Sequence, residues 1–303
     1  MSYRFTVFTP AYNRAHTLPR VYESLKQQTF RDFEWLIVDD GSTDNTKEFV
    51  EVWQNENPFP IRYFWQKNAH KKVAFNRGVK EARGELFFCW DSDDAALPEA
   101  LEIFNQHWRN IPEAERDGFS AVWCLCLDER GNIVGNKFPV DVFDSNTLEI
   151  FYRYKVTGEK WGCFRTDVLR QFPFPENVQG LVPENIVWSA IAKCYKTRFI
   201  NQALRIYYME EPDSICHAEL GKNADGLALW ARGILCNDLQ WFFYHPKWFL
   251  KMAANYTRYD LHLQKNNLIN RWVLRGFFPR LLVVLMYPLG LLVYQLDKRK
   301  NYR

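Results

Sequence analysis

Three short stretches hold most of the residues that could do chemistry: Thr9-Pro10-Ala11-Tyr12-Asn13-Arg14, Asp39-Asp40-Gly41-Ser42-Thr43-Asp44 and Asp91-Ser92-Asp93-Asp94. Carboxylates this close repel one another unless a cation or hydrogen-bond donors neutralise them. Two carboxylates one residue apart, as in Asp91-Ser92-Asp93, can both turn toward a hard divalent cation in a tight loop. Mn²⁺ or Mg²⁺ suits that arrangement, because it takes carboxylate and diphosphate oxygens together. The chain has neither GxGxxG nor GxxxxGK[ST], so no glycine loop cradles phosphate. Phosphate charge then falls to the cation and to side chains such as Lys71, Lys72 or Arg77. A diphosphate held this way leaves readily, since the cation offsets the charge that develops on departure. Any one of these stretches could be an ordinary turn, for turns favour Asp, Ser, Gly and Asn. Three of them, each closing an apolar run, point to a site.

The elements that must position them follow from periodicity. Residues 5–9 form a β-type run closed by Pro10, and Leu18, Val21, Tyr22 and Leu25 fall at helical spacing with Thr17 as N-cap. Residues 35–40 (WLIVDD) read as a buried parallel strand with a functional tip. Asp44 is placed to cap a helix carrying Phe49, Val50 and Trp53; residues 61–65 are strand-like; Phe75, Val79 and Ala82 mark a further helix that Gly84 ends. Residues 86–90 (LFFCW) form the next buried strand and run straight into the Asp91 cluster. This alternation predicts an α/β fold with an open, mostly parallel, right-handed doubly wound sheet. Ligands in such sheets bind outside the carboxyl ends of the strands, where all three polar stretches fall. Further on, Leu101, Phe104 and Trp108 read as a helix and residues 119–127 as a strand, with a hairpin turn at Gly131-Asn132. Val187, Ile191 and Cys194 mark a helix after Glu184, and residues 198–200 and 204–208 read as two strands.

The segments FTVFTPAYNR, LIVDDGSTD, AFNRGVKEARGE and FCWDSDD occur in the order and spacing of family 2 glycosyltransferases, which the chain resembles over about residues 4–210. The resemblance implies the GT-A fold and an inverting enzyme that uses a nucleotide-diphosphate sugar, with uridine the commoner base in the family. It implies that Thr9, Ala11 and Tyr12, with Arg14 beside them, line the nucleoside pocket, and that Asp39 and Asp40 read base and ribose. Asp91 and Asp93 become the DxD pair, Asp91 and Ser92 toward ribose or sugar and Asp93 on the metal. Lys71 and Asn76 match a basic residue and an Asn of the family, although Asn76 could equally fix its own helix.

Inversion needs a base for the acceptor hydroxyl. The family places it in a Glu-Asp pair opening a late helix, and here the matching pair is Glu184-Asn185. Asn185 cannot act as a base, so Glu184 is the candidate; a favourable charge at a helix N-terminus is its alternative role. Trp161 could stack on an acceptor sugar or fill the core. His217 could be a further ligand to metal or diphosphate, or a polar surface residue.

Composition bounds the rest. The 303 residues are 47% hydrophobic and 25% charged, which excludes disorder as the main state. Seven basic residues in 271–303 (Arg271, Arg275, Arg280, Lys298, Arg299, Lys300, Arg303) face one acid, Asp297, in a chain whose net charge is +3. That asymmetry argues for a local anionic partner and against whole-protein nucleic-acid binding. Seven cysteines without a CxxC pair read as buried thiols in a reducing compartment. The sequence begins without an apolar run of signal-peptide length, so the chain is expected on the cytoplasmic side.

Residues 281–296 are uncharged and, at 16 residues, short for a spanning helix, with Pro288 and Gly290 as kinks. The expectation is a peripheral or monotopic element on the cytoplasmic face, its basic flanks gripping an anionic membrane surface. A buried helix or a homo-oligomer interface would use the same residues. The domains expected are 1–215, the catalytic sheet, and 216–303, a helical membrane-associating region. Tail and family together imply a glycan or glycolipid acceptor in surface polysaccharide or lipopolysaccharide synthesis. Two other readings remain: a nucleotidyltransferase, which would need a glycine-rich basic loop that residues 9–14 lack, and a non-catalytic membrane-bound sugar-nucleotide sensor or scaffold, favoured by Asn185.

Overall fold

A computed structural model of the chain describes residues 2–56, 58–208, 220–265 and 273–300. Four parallel strands form the half of the sheet that carries the polar stretches: β1 (Tyr3–Ala11), β2 (Phe33–Asp39), β3 (Ile61–Trp65) and β4 (Gly84–Cys89). They lie in the order β3-β2-β1-β4. Helices α1 (Leu18–Lys26), α2 (Thr46–Glu56) and α3 (Lys71–Glu81) connect them. The register pairs Ala11 with Asp39, Asp39 with Trp65, and Phe8 with Cys89. All the carboxyl ends therefore meet at one edge, and the three polar stretches with them.

The second half is mixed. It contains β5 (Ala95–Ala96), α4 (Ala100–Arg109), α5 (Glu113–Arg116), β6 (Phe119–Leu127), β7 (Val142–Ser145), α6 (Thr147–Tyr152), β8 (Lys160–Arg165), α7 (Thr166–Gln171), α8 (Asn185–Ala192) and β9 (Lys196–Ile206). From β4 the sheet continues β8-β6-β9-β5, with β7 on β9. β8 is antiparallel to both β4 and β6, while β6 and β9 are parallel.

Side-chain alternation gives the sheet two apolar faces. Phe5, Trp35, Phe88 and Trp90 enter one large cluster with Tyr22, Trp53 and Phe104. Phe8 and Phe87 stack at 5.1 Å on the other face, where Phe75 packs edge-on against both. Both faces being covered explains the continuous apolar runs.

Several local expectations change. Thr17 precedes α1 but makes no capping bond through its side chain. Gly84 does not end α3; it opens β4, where any Cβ would strike the backbone of Thr6 and Phe5. The two strands expected at 198–208 are one strand, β9, whose pairing with β6 slips in register between Trp123 and Leu125. Such an irregularity breaks the alternation a strand is recognised by.

By its contacts the chain divides into two compact units, Met1–Phe174 with Val187–Pro212, and Pro175–Ile186 with Asp213–Arg303. The second unit contains α9 (Leu220–Asn237), α10 (Pro246–Lys265) and α11 (Phe277–Lys300). The apolar run at 281–296 is thus part of a longer helix that continues through Pro288. Phe277–Arg299 is long and apolar enough to cross a membrane, by length and composition. One side of α11 packs on α10: Leu282 and Tyr294 are buried, Gly290 lies against Ala254 and Thr257, and Asp297 bonds Arg258 and His262. Its other side exposes Phe277, Val284, Leu285, Leu289 and Leu292.

Candidate active site at the strand tips

The loop after β2 is built from its own acids. Asp39 Oδ1 accepts the Ser42 N–H at 2.7 Å and its Oδ2 the Tyr63 hydroxyl at 2.6 Å, leaving Asp39 almost wholly buried. Asp40 Oδ1 accepts from Gln66 Nε2 at 2.8 Å and from the Ala69 N–H at 3.0 Å. Asp44 accepts the N–H of Ala15 at 3.0 Å and of Thr46 at 3.1 Å, joining this loop to the one after β1. Burial opposes ionisation of Asp44, but those bonds and the Thr46 hydroxyl hold its carboxyl below the usual range. Asn13, at φ +54°, completes the junction by accepting the Thr43 N–H at 2.8 Å while its own N–H donates to Ser42 Oγ. Asn tolerates that left-handed backbone better than most residues.

The acids after β4 are held differently. Lys71, at the start of α3, donates to Asp91 Oδ1 at 2.8 Å, and Arg205 of β9 donates to Asp91 Oδ2 at 3.1 Å. Arg205 also pairs with Asp94 and, at 3.4 Å, with Glu159. Asp94 further accepts the Tyr208 N–H at 3.2 Å. Arg205 is 3% exposed, so one guanidinium inside the sheet balances three carboxylates. Burial works against the Asp91 charge, yet Lys71 and Arg205 outweigh it and hold its pKa at about 2. Asp93 is shifted upward by burial and then by the Asp91 charge, with Arg14, Lys71 and Arg205 pulling the other way. Burial pushes Asp94 up to about 7, Arg205 opposing it and the charges of Asp91 and Asp93 adding to it. Arg20 donates to the Asp93 carbonyl and lies 3.7 Å from the Tyr208 ring centre, which fastens the loop from outside.

Asp91, Ser92, Asp93, Lys71 and Arg14 thus come together. Tyr12 is 48% exposed beside the Asp39 loop, free to offer its ring to a flat ligand. Other candidates are engaged elsewhere. The Thr9 hydroxyl is buried and accepts Trp35 Nε1 at 3.0 Å, and Ala11 is buried beside it. The Asn76 amide exchanges two 2.9 Å bonds with the backbone of Phe174. Arg77 donates to the Trp65 carbonyl at 2.9 Å. Trp161 is a core residue: it packs on Phe88, Trp90 and Phe104, and its Nε1 donates to the Cys89 carbonyl at 2.9 Å. An indole so enclosed cannot stack on a sugar. Glu184 is exposed one residue before α8, in the segment that groups with the C-terminal unit. His217 lies outside the described residues.

Among the described residues no three His, Cys, Asp or Glu side chains gather as a ready-made metal site. The donor set fits a divalent cation only in part. Asp91 has both oxygens committed to Lys71 and Arg205, whereas the Asp93 carboxylate has neither an ion-pair nor a hydrogen-bond partner among the described residues. A single carboxylate agrees with Mg²⁺ or Mn²⁺, which keep waters and take phosphate oxygens for their remaining ligands.

The sequence profile described as glycosyl transferase family 2 matches residues 6–166, more than half of the chain and all three polar stretches at these tips. The chain belongs to glycosyl transferase family 2. Membership makes it a glycosyltransferase that uses a nucleotide-diphosphate sugar in glycan assembly. Among its relatives is the GalNAc(5)-diNAcBac-PP-undecaprenol beta-1,3-glucosyltransferase of Campylobacter jejuni, 28% identical over 70% of this chain and 67% of the relative. Among solved structures, residues 1–349 of S. aureus TarS with UDP-GlcNAc superpose with a TM-score of 0.64 at 18% identity, covering 96% of this chain and 91% of that one. The mannosyltransferase PcManGT of Pyrobaculum calidifontis, solved with GDP-Man and Mn²⁺, gives 0.56 at 18% identity over 99% and 83%. At these identities the two structures speak for the GT-A fold.

Arg205 was not among the residues the sequence singled out, although it stands alone as a charge in an apolar strand segment, Ala203-Leu204-Arg205-Ile206, and such a charge needs a buried partner. Removing it should strand the acids it balances. Arg205→Met is expected to lower the glycosyltransferase's unfolding free energy by about 3–5 kcal/mol in urea titrations. A change under about 1 kcal/mol, the worth of a surface pair, would contradict this account of the site.

Proposed function

We propose that this glycosyltransferase is inverting and moves a sugar from a UDP-sugar to a hydroxyl of a glycan or glycolipid acceptor in surface polysaccharide or lipopolysaccharide synthesis. The observation that carries the donor half is the division of labour after β4: Asp91 is held ionised by Lys71 and Arg205, while the Asp93 carboxylate has no hydrogen-bond or ion-pair partner among the described residues. In this reading Tyr12 offers its ring to the base, the Asp39-Asp40 loop borders the nucleoside, and Asp91 and Ser92 face ribose or sugar. Lys71 and Arg14 lie with the diphosphate, and Asp93 would hold Mn²⁺ or Mg²⁺, with His217 as a further candidate ligand. When bound, that cation neutralises the charge that collects on the departing diphosphate.

Glu184 takes the proton of the acceptor hydroxyl as its oxygen bonds to the anomeric carbon. The bond from that carbon to the diphosphate breaks on the opposite face, which gives inversion. The lipid-linked relative supports a polyprenol-linked or similar glycolipid acceptor. The exposed apolar side of α11, with Arg280 near one end and Lys298 and Arg299 near the other, supports peripheral or monotopic attachment to an anionic membrane surface. The packed side, with its Asp297–Arg258 pair, favours a helix lying in the interface over one surrounded by lipid. A sugar-nucleotide sensor is the competing reading, and Asn185 in place of an acid is what favours it.

Turnover separates the two readings. Release of UDP from UDP-glucose, UDP-galactose and UDP-GlcNAc, with water as acceptor and Mn²⁺ present, should fall about 10²–10⁴-fold in Glu184→Gln while UDP affinity stays unchanged. Equal turnover in both proteins would remove Glu184 as the base, and binding without turnover in either would favour the sensor. Vesicles containing anionic lipid should sediment the protein and neutral vesicles should not. Val284→Asp with Leu285→Asp should abolish that binding, and sedimentation unchanged by the double variant would contradict the interfacial placement of α11.

A further inference from the structure

The stretch that ends in Glu184 is fastened to α9 residue by residue. Both elements around it, α7 and most of α8, group with the sheet, yet Pro175–Ile186 groups with the C-terminal helices. Val178 and Val182 are buried. Between them the Gln179 N–H donates to Asp225 Oδ2 at 2.8 Å and the Leu181 N–H donates to Asn223 Oδ1 at 3.0 Å. Asp225 and Asn223 are themselves buried, at 2% and 8% exposure. Gly180, at φ +66°, lies so close to α9 that a Cβ there would meet the Lys222 carbonyl and, at 2.8 Å, Asn223 Oδ1. One turn along α9, Gly226 leaves room for the Leu181 carbonyl; a Cβ would strike that oxygen and stand 3.2 Å from Val182 Cα. Pro183 follows with its restricted backbone, and its carbonyl accepts the Ile186 N–H at 3.1 Å, closing the turn that carries Glu184.

A connection that only joined α7 to α8 would need none of this. Two buried polar side chains meet alternate amides, two glycines allow the backbones to touch, and two valines seal the ends. A single residue, Pro183, separates the last fastened position, Val182, from Glu184. We infer that Asn223, Asp225 and Gly226 of α9 are positioning residues for Glu184. The inference rests on Glu184 being the base. Its physical ground is that a misplacement of an ångström at a reacting group costs rate while leaving donor binding alone.

The test measures UDP release in Mn²⁺ from whichever of the three UDP-sugars the wild type turns over fastest, together with UDP affinity by calorimetry. Asn223→Ala and Gly226→Ala should each lower kcat about 10- to 100-fold, with donor KM and UDP Kd within about twofold of wild type. Asn223→Asp keeps an acceptor oxygen for the Leu181 N–H and should recover most of kcat. Wild-type kcat in both Asn223→Ala and Gly226→Ala, beside an inactive Glu184→Gln, would overturn the positioning role and leave the base in place. UDP affinity lost in parallel with kcat would overturn it too, as the mark of a general structural role. Wild-type turnover in Glu184→Gln would instead remove the base itself.

Discussion

Asp91, Asp93 and Asp94 stand within four consecutive positions at the end of β4, and their mutual repulsion has to be met before a donor can be. Arg205 meets it from inside the sheet, with Lys71 adding a second positive charge at Asp91. Much of the surrounding architecture follows from this pairing. β9 must run beside β6 far enough for residue 205 to reach the tip of β4, and the register slip in their pairing falls just before that point. β5 must cross back onto β9, pairing Ala96 with Arg205 itself, so the loop between Asp91 and Asp94 is closed at both ends. The acids are therefore preorganised, and one of them, Asp93, is left with charge to spare for a ligand.

The opposite lip of the site uses neutral hydrogen bonds for the same purpose. Asp39, Asp40 and Asp44 are satisfied by backbone N–H groups and by the side chains of Thr46, Tyr63 and Gln66, without a cation among the described residues. A carboxylate that already holds two donors shapes a pocket more than it reaches out of it. In the proposed reading, that contrast puts the phosphate end of a donor at the lip with Lys71, Arg14 and Asp93, and the less charged nucleoside end at the lip with Tyr12.

Much of this was legible in the chain. The strand tips were visible because continuous apolar runs such as Trp35-Leu36-Ile37-Val38 end abruptly in acids, which few buried strands do without a reason. The parallel half of the sheet followed from alternation with helices of ordinary length. What stayed hidden depends on partners far along the sequence. Arg205 lies more than a hundred residues from Asp91 and Asp94, which it balances; Asn76 bonds a backbone 98 residues on. Local spacing carries no trace of either. Trp161 was ambiguous for a different reason: an aromatic side chain near a strand end serves a core or a ligand equally well, and only packing decides. The helix at the C-terminus outran its uncharged core because Phe277 and Phe278 lie beyond Arg280, a charge that interrupts the apolar run without ending the helix.

The central claim, that the acids after β4 hold a nucleotide diphosphate through a divalent cation at Asp93, is tested most directly by calorimetric titration of the full chain with UDP and GDP, first in Mn²⁺ and then in EDTA. The account predicts tight binding of one nucleotide in Mn²⁺, much weaker binding in EDTA, and a similar weakening in Asp93→Ala, whose fold should be intact because that carboxylate bonds no partner among the described residues. Equal affinity with and without the cation, or in Asp93→Ala and the wild type, would contradict it.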